Sequence, residues 1–345
     1  MKKFWIPLSI ALSVLVLGSC GGGSKKELNL LTWQDYVPAE TVERFKEETG
    51  ITINYSYFDT NEEMLTKLEA EGGDYDVVIC SEYIIGIGIE KGVFRKIDVG
   101  GIKNYGNINP EYQGKKYDPL NEYSIPYCVF IAGILYNPAK TNLTFDSFAD
   151  LADPSLRNSV VIVDAPQSII GEALTALGYS YNETDPVKIE AASEFLQRLR
   201  PNILAFNTTA PQDFVVNGEA IAAYSPSSNC IYGKMADDTL KIAYPRNSAN
   251  VYGIDSFLIV KNAPNPENAH IFLDFMLNPE IAAITVREQN VEAANRYVDD
   301  YTRDMVDAGL VAKMPEEALR RDQHPEAMPA EVQALYDRIW TRFKQ

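Results

Sequence analysis

Between residues 28 and 83 the hydrophobic period of the chain switches repeatedly, and this alternation restricts the fold more than any other feature. Leu28 to Leu31 is an apolar run that stops at Thr32. Pro38 to Thr49 then reads as a helix, with proline in its first turn, Val42 and Phe45 on its inner face and Gly50 just past its end. Ile51, Ile53, Tyr55 and Tyr57 alternate with Thr52, Asn54 and Ser56, the period of a half-buried strand. A helix capped by Asn61 and carrying Met64, Leu65 and Leu68 is expected next, ended by Gly72 and Gly73. Val77 to Cys80 is a short continuous apolar run of the kind buried on both faces of a parallel sheet. This β-α-β-α-β order predicts an α/β protein with helices on the faces of a parallel sheet.

Ligands of open α/β sheets bind outside the carboxyl ends of the strands. Two such ends are polar and aromatic here: Trp33, Asp35 and Tyr36 after the first strand, Ser81 and Tyr83 after the third. Rings attract cations through their quadrupole, and a carboxylate neutralises them, so the pairing suits a cationic ligand. A strand-to-helix turn with Trp33 packed inward is the competing reading of the first of these loops.

A second α/β segment follows a Tyr-, Asn-, Pro- and Gly-rich loop over 103–123 and an apolar run from Cys128 to Tyr136. Val160 to Val163 reads as a buried strand leading through Asp164 and Ser168 into a helix from about Ile169 to Leu177. Asp185 caps another helix with Ile189, Ala192, Leu196 and Leu199 on one face, and Gly218 to Tyr224 reads as a strand. Residues 251–256 read as a loop that enters an apolar strand, Phe257 to Val260. Helices are expected over about 266–277, 279–288 and 331–344; the spacing of the last docks Trp340 on a core.

At 345 residues the chain calls for one large or two medium domains. A net charge of −17 argues against nucleic acid and anionic membrane as partners. Two histidines, His270 and His324, offer no zinc site, and no nucleophile–base motif accompanies them, so neither an enzyme nor a metal or cofactor is expected. Lys2 and Lys3 followed by Ile6 to Leu17 form an export signal too short to span a membrane. It ends in Leu17-Gly18-Ser19-Cys20, which resembles the lipobox of bacterial lipoproteins. Residues 1–19 are then a removable signal, Cys20 the lipidation site, and 20–26 a lipidated cysteine with a glycine-rich tether. Cys80 and Cys128 read as strand-end core residues; with Cys230 they make an odd set that matches no metal pattern, and a disulfide among them stays open.

Thr32 to Pro38, Phe45 to Ile51, Tyr75 to Val78, Tyr123 to Tyr127, Ala176 to Ser180 and Ile254 to Ser256 occur in the order in which they stand in one family. The chain resembles the periplasmic spermidine/putrescine-binding proteins of ABC transporters. That resemblance implies a two-lobed periplasmic binding protein fold (type II-like) with its ligand cleft between the lobes. By analogy, lobe one is 27–129 with 252–298, lobe two is 130–251 with 299–345, and crossings near 129, 251 and 299 act as hinges. It implies a monomer in the periplasm or cell envelope, membrane-anchored through Cys20, that binds a small cationic polyamine and docks on an ABC permease. A binding protein for another small solute on the same fold, or a sensor serving a membrane partner, is the alternative.

Family site positions carry over onto Trp33 and Tyr36 as ring walls, Asp35 as a carboxylate partner, Ser81, Tyr83, and above all Asp255 as acceptor of an amine. Elsewhere the chain departs from the family. Its usual second acid and glutamate after the 160–163 strand fall on Ala165 and Ser168, leaving Asp164 as the nearest acid. Tryptophans expected near Pro226 and Gly253 are absent, with Tyr252 or Tyr224 as possible substitutes, and a family tyrosine falls on Gln289-Asn290. A late family glutamine falls on about Glu326. Asp164 and Glu326 are therefore the candidates for a third ammonium acceptor.

Overall fold

The computed structural model describes residues 26–246, 252–312, 325, 326 and 328–345. The expected signal peptide, Cys20, the tether up to residue 25, the crossing at 251 and His324 lie outside the described residues, as does the side chain of Tyr252.

The first segment forms as its periodicity dictates. Strand β1 (Glu27–Thr32), helix α1 (Ala39–Thr49), β2 (Thr52–Tyr57), α2 (Asn61–Glu71), β3 (Val77–Ser81) and α3 (Glu82–Lys91) follow in order. Gly50 ends α1 in the left-handed conformation at φ 71°, where a Cβ is strained. The cap of α2 is Thr60, whose side chain accepts from the Glu63 N–H. Asn61 is instead buried, and its amide serves Tyr83 and the backbone of Ser81. β1 pairs in parallel with β2 and β3.

The remaining strands are β4 (Ser124–Tyr136), β5 (Val160–Ile162), β6 (Ile203–Phe206), β7 (Ala222–Pro226), β8 (Lys241–Ala243), β9 (Tyr252–Ile259) and β10 (Glu292–Ala293). Between them lie α4 (Pro166–Ala176), α5 (Pro186–Leu199), α6 (Pro211–Val216) and α7 (Ser227–Ala236), then α8 (Pro266–Met276) and α9 (Pro279–Gln289). The strand order is β2-β1-β3-β9-β4-β7-β5-β6, with β8 and β10 also on β4. The sheet is therefore mixed, not purely parallel, because β9 runs antiparallel to both β3 and β4.

β4 joins the two halves of the sheet. Its residues Ser124 to Ile131 pair with β9, and Ala132 to Tyr136 pair with β7. One hydrophobic core packs Leu30, Phe45, Val77, Phe257 and Phe272 in the first half. Another packs Val160, Ile170, Leu196 and Tyr224 in the second, closed by Tyr336, Trp340 and Phe343 of the C-terminal helix Ala330–Lys344. Cys80, Cys128 and Cys230 are buried free thiols.

Candidate functional site

Strand β9 begins earlier than its hydrophobicity suggests, and this puts Asp255 in mid-strand, not in a loop. In the register Asp255 faces Ser81 on β3 and Cys128 on β4. A bulge between Pro126 and Cys128 interrupts the β4 side, a device that re-aims side chains beside binding sites. Side chains two apart on a strand share a face; Gly253 and Asp255 accordingly both line a cleft of about 560 Å³. The cleft's other walls are Ser81, Glu82, Tyr83 and Phe130 on one side and Ala165 to Ser168 and Tyr181 on the other, with Pro325 at its edge. It continues into a second compartment of about 290 Å³ that reaches Glu172, Thr208 and Tyr224.

Asp255 is 7% exposed. Burial raises its pKa, and hydrogen bonds from the Tyr36 and Ser81 hydroxyls counter part of that rise. Tyr36 is held in turn by rings: Trp33 meets it edge-on at 5.1 Å, and Tyr127 does so at 5.9 Å. Trp33 packs on Phe58 as well, at 4.8 Å, so it supports Tyr36 from behind and joins the core in doing so. Tyr83 is half-buried; its hydroxyl accepts from Asn61 at 3.0 Å and donates to Glu62 at 3.2 Å. Burial pushes its pKa up to about 12.

Glu82 is the residue that the sequence reading passed over. It opens α3 yet is only 2% exposed. Its Oε2 accepts the Ile254 N–H at 2.8 Å. A Cβ placed on Gly253 would stand 3.4 Å from the same oxygen, so this carboxyl group lies against the backbone at 253. Burial, then the Asp255 charge, push the Glu82 pKa up to about 8.

Several expected residues stand elsewhere. Asp35 adopts φ 56°, a left-handed turn that aspartate tolerates, and is exposed. It lines a hollow of about 270 Å³ with Tyr36, Tyr55 and Tyr57, while its carbonyl accepts from Gln289 at 3.0 Å. Asp164 is exposed and committed: Lys344 Nζ lies 2.6 Å from one oxygen and Trp340 Nε1 donates to the other at 2.9 Å. It ties the C-terminal helix to the start of α4 and is not among the residues lining the cleft; the lysine holds its pKa below the usual carboxylate value. Glu326 receives Lys116 on both oxygens, at 2.8 and 2.9 Å, in a hollow beside Tyr83 and Tyr117. Ser168 does line the cleft, on the face of α4 that carries Glu172 one turn later. Among the described residues no group of three or more His, Cys, Asp or Glu is placed to hold a metal ion.

Comparisons with known proteins place the chain in a family. Residues 40–305 match the family described as bacterial extracellular solute-binding protein. The spermidine/putrescine-binding periplasmic protein of Salmonella typhimurium is 35% identical over 286 residues, 82% of each chain. The chain belongs to this family. Membership sets it among solute-binding proteins and apart from enzymes. The putrescine-binding periplasmic protein SpuD of Pseudomonas aeruginosa is 29% identical across 100% of this chain and 99% of its own. The crystal structure of the spermidine/putrescine ABC transporter substrate-binding protein from Streptococcus pneumoniae has a TM-score of 0.78 and 28% identity, covering 92% of this chain and 98% of that one.

Within this solute-binding protein the missed acids did leave a signal. Glu172 is the single charged residue of α4, flanked by Ile169, Ile170, Ala173 and Leu174. A charge embedded in so apolar a helix is a buried group that requires partners.

Proposed function

We propose that this chain captures a polyamine of the putrescine/spermidine class in the periplasm and delivers it to an ABC permease. The observation that carries the reading is Asp255. A carboxylate at 7% exposure, whose described partners are hydroxyls, is costly in an apolar-walled cleft until a cation reaches it. An ammonium supplies the charge, and Phe130, Ala165 and Pro166 offer its methylenes apolar walls. Ser81, Tyr83 and Ser168 of the cleft complete the contacting set, with Tyr36 bonded to Asp255 and Trp33 behind it. Relatives named for spermidine and putrescine at up to 35% identity support the same ligand class.

The sheet halves joined by β4 serve as lobes, 27–129 with 252–298 and 130–251 with 299–345, that close on the ligand and present the closed form to the permease. The protein acts as a monomer tethered through a lipid on Cys20. Calorimetric titration with putrescine, spermidine, spermine and agmatine tests the assignment. Binding of at least one below 100 µM, or roughly −5.5 kcal/mol, is expected. Failure of all four to reach that affinity refutes it.

A further inference from the structure

Glu82 is only 2% exposed yet lines the cleft beside Asp255, and a ligand held by Asp255 alone leaves that second acid unused. We infer that Glu82 and Asp255 together grip one cationic end of the ligand and fit that end of the cleft to a guanidinium better than to an ammonium. This rests on the polyamine reading and makes Glu82 the residue that sets which amine is preferred. Agmatine is the four-carbon amine of that kind.

The geometry starts at Gly253. It lines the cleft on the same face of β9 as Asp255, two residues or about 6.6 Å away along the strand. Both Glu82 oxygens stand over it: a Cβ at 253 would lie 3.4 Å from Oε2 and 3.6 Å from Oε1. One acid therefore stands at each end of a short strip of bare backbone. The antiparallel register sets Phe130 of β4 directly beside Gly253, and Phe130 lines the cleft as well, so its ring borders the strip. That ring also stacks on Tyr36, with 6.4 Å between centres, and Tyr36 is bonded to Asp255.

Neither acid is saturated by its partners. The Tyr36 and Ser81 hydroxyls donate to Asp255, and the backbone N–H groups of Ile254 and of Glu82 itself donate to Glu82. A carboxylate accepts at roughly four lone-pair sites, so each keeps capacity for a ligand's donors. An ammonium is a compact point charge with all its donors on one nitrogen, and it settles on one acid. A guanidinium is planar and spreads five N–H donors over more than one edge, so it lies flat on the bare strip and reaches both acids at once. It is also more weakly hydrated than an ammonium and stacks on aromatic faces, which suits a buried site bordered by Phe130.

Agmatine and putrescine share a four-carbon chain and one ammonium and differ only at the other end, so calorimetric titration of the full protein with each tests the inference. The unaltered protein should bind agmatine at least about tenfold more tightly, the worth of one further charge-assisted hydrogen bond. Glu82→Gln should bring that preference below about threefold, whatever it does to either affinity alone. Gly253→Ala keeps both acids and raises a methyl group on the strip; it should cut the preference likewise, and it decides the matter if Glu82→Gln fails to fold. A Glu82 that served the fold alone would weaken both amines alike and leave their ratio unmoved. That result, or putrescine bound as tightly as agmatine by the unaltered protein, overturns the inference while the polyamine reading stands. If the unaltered protein binds no amine at all, the polyamine reading falls and takes this inference with it.

Discussion

Glu82 and Asp255 stand in one buried cleft where their like charges repel, so binding a cation there should expel a proton. Glu82 is held up to about 8 by burial and by Asp255. At pH 7 such a group keeps its proton in about nine molecules of ten. An ammonium within contact distance lowers a carboxyl pKa by about 1–3 units. Binding at pH 7 should then release roughly 0.4 to 0.9 of a proton. Affinity should rise about 5- to 50-fold between pH 6 and pH 8, because the proton competes with the ligand. The amine stays charged through this range, its own pKa lying near 10.

The groups facing Glu82 from the elements around it do not blur the signal. Cys80 on β3 and Tyr181 across the cleft are pushed up by burial, and Tyr83 on α3 reaches about 12. Asp255 on β9 is raised too, so the proton belongs to the carboxyl pair. The sign for the apo protein follows from the same shift. A folded pKa above the unfolded value gives a stabilisation that is complete below about pH 4.5 and is lost as pH rises through about 8. Apo melting temperature should therefore fall across that window. Titrations of spermidine at pH 7 in buffers of different ionisation enthalpy measure the proton directly. Glu82→Gln should flatten both the buffer dependence and the pH dependence. Heats that are equal in every buffer, with affinity flat from pH 6 to 8, would refute the reasoning.

Asp255→Asn should cost well over tenfold in affinity for every amine, monoamines included, with apo melting nearly unchanged, as calorimetry and thermal denaturation will read. Asp164→Asn should leave polyamine affinity where it was. Its effect belongs to stability: the ion pair to Lys344 is 39–40% exposed and the Trp340 contact is partly buried, so a loss of about 0.5–1.5 kcal/mol is expected by denaturant unfolding. A tenfold affinity loss in Asp164→Asn would return that residue to the site.

The alternation from Leu28 to Cys80 was enough to read the first half of the sheet, because each element there buries a regular apolar face. Strand β9 was harder. Gly253 and Asp255 occupy its cleft-facing positions, so it lacks the apolar run that marks a central strand and looks like a loop until Phe257. Asp35 differs in another way: a left-handed turn sets it in a neighbouring hollow that it shares with Tyr36 and not in the cleft that Asp255 lines. The ties of Asp164 to Lys344 and of Glu326 to Lys116 span 180 and 210 residues, separations over which local patterns carry no information.

Helix direction explains why the legible acids were insufficient. The first residues of α3 and of α4, Glu82 and Pro166, both line the cleft. A helix N-terminus carries roughly half a positive charge, which favours anions and opposes an ammonium. A cation site built between two such termini needs carboxyl groups close to each. Glu82 stands at the start of α3 with Asp255 near it on β9, in the first half of the sheet, and the buried Glu172 lies in the second turn of α4. At 165 and 168 the chain carries alanine and serine, and Glu172 follows Ser168 by one turn on the same face of the helix. Selection among amines should therefore depend on the spacing of their ammonium groups more than on their number.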